Sequence, residues 1–219
     1  MFRAAIFDMD GTLVDSERCW RIAEREVFGG VGIEITEEMS ALTAPLSPRQ
    51  VTEHWFRHQP WPDPSFEHME TAVIRRVAEQ LRLECAALPG AIETVTACAA
   101  LGWRIALASN SPAELCRLVL ERLGISGHFD TVVSVDDVEN GKPDPAIYLL
   151  AAERLGVPPG ECLAFEDTPT GARAARAAGM RVVAIPSAGQ SFADAESHLL
   201  LGSLEEFTPH HAAQLWRRA

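Results

Sequence analysis

The chain has 219 residues, 47% of them hydrophobic and 23% charged, which is the composition of a folded globular protein and not of a disordered or membrane-embedded one. A formal charge of −12 argues against nucleic acid as a partner, because phosphate backbones are held by clustered Lys and Arg. No apolar run approaches the ~18 residues of a membrane span, so a membrane is not an expected partner either.

The first element is a short apolar run, RAAIF, with Ala4 to Ile6 reading as a buried strand that ends in FDMDGTLVDSE. Two carboxylates, Asp8 and Asp10, sit at that end, where charge is expensive. No alternating strand pattern follows before Leu88. Helical runs occur instead around Glu17 to Phe28, Pro48 to His58 and Pro64 to Leu83, joined by turn-rich pieces such as GGVG and QPWPDP. The run at 48 has a clean start, since Ser47, Pro48 and Gln50 occupy the N-cap, N1 and N3 positions of a capping box. Residues 16–88 therefore read as a small helical cap inserted after the first strand.

From Pro89 onward apolar runs alternate with helical patterns, the signature of a parallel sheet covered on both faces. The expected strands are WRIALA (103–108), DTVVS (130–134), CLAFE (162–166) and RVVAI (181–185), with LLLG (199–202) a weaker sixth. The expected helices run over 90–100, 112–123, 145–155 and 169–178, each followed by a glycine. The fold class is α/β: a Rossmann-like parallel-sheet core in residues 1–15 and 89–219, with the helical cap at 16–88 between its two pieces.

Ligands of open parallel sheets bind beyond the carboxyl ends of the strands. Polar groups fall at four such ends: Asp8 and Asp10, then Ser109 and Asn110, then Lys142 in NGKPDP, then Glu166 and Asp167. Taken singly, each has a plain structural explanation: a strand-to-helix turn, a solvated lysine, acids at a helix N-terminus. Their order along one edge outweighs these. The strand period of two puts Asp8 and Asp10 on one side, and Gly11 lets the chain turn with its amide close to a ligand. Like charges so close need a cation or a shared proton. Asp167 and Glu166 complete an all-oxygen set suited to Mg²⁺, while Lys142 and Ser109 suit the oxygens of a phosphoryl group in transfer.

DMDGT, LASNS, GKPDP and FEDTPTG resemble the four motifs of the haloacid dehalogenase superfamily, in order and over essentially the whole core. The insertion resembles the small cap of its β-phosphoglucomutase-like branch. Within the insertion, EHWFRHQPW and the chain length are similar to those of bacterial sugar and hexitol phosphatases that accept 2-deoxyglucose 6-phosphate. LTAPLSPRQ departs from such relatives, having Pro45 and Ser47 where they often carry Gly followed shortly by Arg. The resemblance implies Asp8 as nucleophile, Asp10 as general acid and base, and Ser109 and Lys142 as phosphate contacts. It implies Mg²⁺ held by Asp8, the backbone carbonyl of Asp10 and Asp167, with Glu166 acting nearby through water.

The expected activity is Mg²⁺-dependent hydrolysis of a small phosphate monoester, a sugar or sugar-alcohol phosphate, with Gly11, Ser109, Asn110 and Lys142 around the phosphate and Arg49 a candidate substrate contact in the cap. A phosphoglucomutase-type transfer is the alternative; a haloacid dehalogenase or a non-catalytic sugar-phosphate sensor fits the complete acid and lysine set less well. The five cysteines, Cys19, Cys85, Cys98, Cys116 and Cys162, form no CxxC pair and read as reduced, mostly buried side chains. MFRAAIFDMDG lacks a signal-peptide pattern, so the expected location is the cytoplasm. The sequence does not fix the oligomeric state, and a monomer is the favoured one.

Overall fold

The computed structural model describes residues 1–43, 46–187, 189–193 and 196–217, so the Pro45 departure noted above lies outside the described residues. The strands β1 (Ala4–Phe7), β2 (Arg104–Ala108), β3 (Thr131–Val133), β4 (Cys162–Glu166), β5 (Arg181–Ala184) and β6 (Leu199–Leu200) form one sheet. Its order is β3-β2-β1-β4-β5-β6, and every neighbouring pair is parallel. This is an α/β Rossmann-like arrangement. β1 lies in the middle, with Ile6 beside Ala106 and Ala164, and Phe7 beside Leu107 and Phe165. All four of its residues are buried, as both faces of a helix-covered parallel sheet require. The strand order reverses between β1 and β4, which opens a crevice at their carboxyl ends.

Two compact units make up the chain: Ser16–Cys85, and Met1–Asp15 with Ala86–Ala219. The first contains α1 (Glu17–Gly29), α2 (Glu37–Thr43), α3 (Pro48–His58) and α4 (Phe66–Leu83), with α4 packed on both α1 and α3. Its interior is aromatic and aliphatic, with Phe28 5.9 Å from Trp61 and 6.4 Å from Trp55 between ring centroids, and Val73, Val77 and Leu81 buried beneath. The capping box forms: the Gln50 amide donates to Ser47 Oγ at 3.4 Å, and Ser47 N–H donates to Gln50 Oε1 at 3.0 Å. α4 starts at Phe66 and not at Pro64, because Ser65 caps it by accepting from the His68 amide. α2 is additional to the sequence reading. Its EEMSALT buries only Ser40 and Thr43, so it has no apolar stripe to give a helical period.

The second unit adds α5 (Ala91–Ala100), α6 (Ala113–Arg122), α7 (Ala146–Leu155), α8 (Pro169–Ala177) and α9 (Pro209–Arg217). Strand alternation makes two cores. On one face Ala4, Ile6, Ala106 and Ala164 pack under α7 and α8 through Ile147, Tyr148, Ala151, Ala172 and Ala175. On the other, Phe7 stacks on Phe165 at 4.5 Å, with Phe129 and Phe207 meeting these rings edge-on. Residues 86–88, grouped with the helical insertion on sequence, are bonded to the loop after β1: Asp15 N–H donates to Ala86 O at 3.2 Å and Leu88 N–H to Leu13 O at 3.0 Å. α9 is likewise additional to the sequence reading; its Trp216 meets Phe2 edge-on at 5.3 Å.

Candidate active site

The site grows from the carboxyl end of β1. Asp8 N–H still donates to Phe165 O at 3.0 Å, which fixes the first carboxylate at the crevice between β1 and β4. The chain then turns sharply: the amides of Thr12, Leu13 and Val14 all point at Met9 O, and Gly11 takes φ +79°. Gly11 is required twice, by that left-handed backbone and by closeness, since a Cβ there would lie 2.1 Å from Asp167 Oδ2.

β4 delivers Glu166 and Asp167. Glu166 is fully buried, and Gly171 makes room for it, because a Cβ at 171 would lie 2.1 Å from its carboxylate. Thr168 caps α8 by accepting from the Gly171 amide at 3.2 Å, so the helix start and the carboxylate pocket are one piece of chain. From the β3–α7 loop Lys142 reaches inward, and its Nζ lies 2.5 Å from Asp8 Oδ1 and 2.6 Å from Glu166 Oε1. Tyr148, one turn into α7, donates its hydroxyl proton to Glu166 Oε1, and its ring centroid is 5.1 Å from Lys142 Nζ.

After β2, Ser109 is anchored by its amide on Val133 O at 3.0 Å, and its hydroxyl accepts from the Ser111 amide at 3.0 Å. Ser111 Oγ in turn donates to Asp10 Oδ2 at 2.6 Å. Asn110 faces Lys142: it accepts from the Lys142 amide at 2.8 Å and donates to the Lys142 carbonyl at 3.3 Å. The second unit thus brings Asp8, Asp10, Gly11, Ser109, Asn110, Lys142, Glu166 and Asp167 to one strand edge. Arg49 belongs to the helical unit, where it pairs with Glu53 at 3.5 Å and Glu70 at 3.4 Å and lies 4.5 Å over the Phe66 ring.

The electrostatics of this edge are unbalanced. Asp8, Glu166 and Asp167 are all buried and can each aim an oxygen to within 4.8 Å of the others, against the single ammonium of Lys142. Burial pushes the Asp8 carboxyl from 3.8 up to about 7 despite the opposing pull of Lys142. Burial raises Asp167 well above the usual carboxylate range as well, with Asp8 and Glu166 adding to the effect. Burial favours a neutral Lys142, but Asp8 and Glu166 outweigh it and hold the ammonium charged. Glu166 Oε2 is buried and has no hydrogen-bond partner among the described residues. An oxygen-only donor set with excess negative charge and an orphaned carboxylate oxygen fits a hard divalent cation such as Mg²⁺.

Two members of the site were not singled out on sequence. Ser111 closes the LASNS motif itself, and Tyr148 is the sole tyrosine of the chain, on the buried face of α7 six residues after Lys142.

A crevice at the strand-order reversal, a buried trio of carboxylates and a charged lysine between two of them define a hydrolase of the haloacid dehalogenase type. The family model described as haloacid dehalogenase-like hydrolase matches residues 2–179, and the chain belongs to this family. It is 37% identical over 185 residues to Hexitol phosphatase B of Escherichia coli K12, covering 84% of this chain and 83% of that protein. To the Fructose-1-phosphate phosphatase YqaB of the same organism it is 34% identical over 188 residues, covering 83% and 95%. The crystal structure of CbbY from Rhodobacter sphaeroides in complex with phosphate is similar throughout, with a TM-score of 0.86, 30% identity and coverage of 94% and 96%. The chain is an enzyme, a phosphatase of this family. No helix among the described residues is long and apolar enough to cross a membrane.

Proposed function

We propose that this phosphatase hydrolyses a phosphorylated sugar or sugar alcohol, with Mg²⁺ as cofactor and a phosphoryl-enzyme intermediate on Asp8. The observation that carries the reading is the placement of Lys142 Nζ between Asp8 and Glu166, with Asp167 completing the oxygen set. In the proposed reaction an Asp8 carboxylate oxygen attacks phosphorus in line, the bond from phosphorus to the ester oxygen breaks, and Asp10 gives a proton to the leaving alkoxide. Asp10 then takes a proton from water, whose oxygen attacks the phosphorus of the aspartyl phosphate and frees Asp8 and inorganic phosphate. Lys142 and the Ser109 hydroxyl meet the phosphoryl oxygens, with Gly11 and Asn110 alongside, and Lys142 remains charged throughout. Asp8, Asp167 and the Asp10 carbonyl would hold the cation, with Glu166 acting through water, and when bound it offsets phosphoryl charge as a Lewis acid. The sugar-phosphate preference is supported by the two curated relatives, and the proposal extends to Arg49 as a substrate-selecting side chain.

The test is a panel of sugar, polyol and nucleoside monophosphates with Mg²⁺, scored for inorganic phosphate, with Asp8→Asn as the inactive control. Stoichiometric phosphate release from sugar or polyol phosphates is expected. Interconversion of sugar phosphates with almost no phosphate released would replace hydrolysis by mutase chemistry, and equal turnover of every ester would remove the sugar preference.

A further inference from the structure

Lys142 has an unusual setting for a residue with so demanding a position. It is the only buried residue between Ser134 and Ile147, in a loop whose other members are exposed or half-exposed. Its side chain has four rotatable bonds, and its Nζ must rest within hydrogen-bond reach of both Asp8 and Glu166. A charge that distant from its backbone is only as well placed as the backbone itself. Within the loop, Asp144 N–H donates to Gly141 O at 3.0 Å, a bond that shapes the turn but ties it to nothing outside.

Nearer β3 the loop is tied through Asp136, which accepts from the Ala113 amide at 2.8 Å, and through Asp137, which pairs with Arg154 at 2.6 Å; the external tie at Lys142 itself is Asn110. Its side-chain amide takes both polar groups of one residue, accepting from Lys142 N–H at 2.8 Å and donating to Lys142 C=O at 3.3 Å. A planar amide paired with both groups fixes position and orientation together, as two rungs of a ladder do and one cannot. Asn110 sits directly after Ser109, whose amide is itself bonded to β3 through Val133 O, so the clamp refers the loop to the rigid sheet. The approach is close enough to need a glycine: a Cβ on Gly141 would lie 2.5 Å from Asn110 Oδ1 and 3.4 Å from Val135 Cγ2.

We infer that Asn110 is a positioning residue, whose amide clamps the Lys142 backbone and thereby sets the ammonium between Asp8 and Glu166; the inference rests on the role proposed above for Lys142. It deepens the reading of Asn110 as a phosphate neighbour by giving its side chain a different partner. Misplacement of a catalytic charge by about 1 Å can cost ~10²-fold, so a loose clamp should act on turnover more than on binding.

The experiment pairs Asn110→Ala with Gly141→Ala, which attack the clamp from opposite sides. The preferred phosphate ester and inorganic phosphate as competitive inhibitor are the probes, and circular dichroism confirms folding. Each single variant should lose about 10- to 100-fold in kcat, and the double variant should lose no more than the worse single, because one clamp can be broken only once. Inhibition by phosphate should change less than threefold. Hydrogen exchange at the Lys142 amide should become fast in both variants. Losses that multiply, a silent Gly141→Ala, or a weakened phosphate inhibition with kcat intact in Asn110→Ala would each overturn the inference, the last by making Asn110 a direct phosphate ligand. A wild-type protein that hydrolyses no ester would instead defeat the proposed function, while an unchanged Lys142 amide exchange would defeat the clamp by itself.

Discussion

Ser111 donates its hydroxyl proton to Asp10, with 2.6 Å between Oγ and Oδ2 across 101 positions of sequence. Ser111 is itself buried, and its amide is held on Ser109 Oγ, so the donor is fixed before the carboxylate meets it. A hydrogen bond to a charged group contributes about 1.5–3 kcal/mol, enough to orient a side chain whose task is to give and take a proton. Ser111→Ala is expected to lower kcat about tenfold for a sugar phosphate, whose alkoxide must be protonated. An aryl phosphate, with a leaving group that needs little protonation, should lose much less in the step that forms the intermediate. Equal losses measured before steady state would detach Ser111 from the acid role of Asp10.

The acidic trio yields a prediction about metal. Glu166 already serves Lys142 and Tyr148 through Oε1, whereas Asp167 forms no ion pair among the described residues and lies against Gly11. Chelation should silence the enzyme, Mg²⁺ should restore it, and added Mg²⁺ should raise the melting midpoint by linkage. Asp167→Ala should raise the Mg²⁺ concentration for half-activation by about tenfold or more, and Glu166→Ala by less. Full activity in excess chelator would remove the cation.

Glu24 predicts a pH dependence of stability. It lies in α1 inside the helical unit, 5% exposed, and accepts from Thr43 Oγ1 at 3.2 Å. The Trp55 indole N–H lies nearby without forming a good hydrogen bond. Burial raises the carboxyl from 4.5 to about 7, so the folded state holds its proton longer than the unfolded chain does. The stability this proton confers is complete below about pH 4.5 and is lost as pH rises to about 7, by roughly 3 kcal/mol at the limit. Glu24→Gln, neutral at all pH, should match the wild type in urea unfolding at pH 4.5 and exceed it at pH 8. A constant difference across that range would refute the assignment.

Arg49 tests the helical unit's part in selection. Its partners Glu53 and Glu70 are partly exposed, so the ion pairs contribute at most about 1 kcal/mol and can be exchanged for a phosphorylated ligand at small cost. Arg49→Ala should raise KM for the preferred sugar phosphate while leaving the slow hydrolysis of acetyl phosphate unchanged. An equal effect on both, or on neither, would return Arg49 to a structural role on Phe66.

The strands, their alternation with helices and the polar residues at each strand end are legible in the sequence, because those signals are local. A parallel strand buried on both faces must read as an apolar run, and a charge at its end then stands out, as Asp8 does after RAAIF. The helical unit was legible where helices carry an apolar stripe or a side-chain cap, and missed at α2, which buries only a serine and a threonine. Which of the end residues meet depends on the packing of the sheet. Lys142 reaches Asp8 across 134 positions and Asn110 takes the Lys142 backbone across 32. Those pairings follow from the order β3-β2-β1-β4, which sets the loops after β2 and β3 beside the carboxylates of β1 and β4. Strand order is a property of how hydrophobic faces and crossovers pack together, and no local residue pattern encodes it.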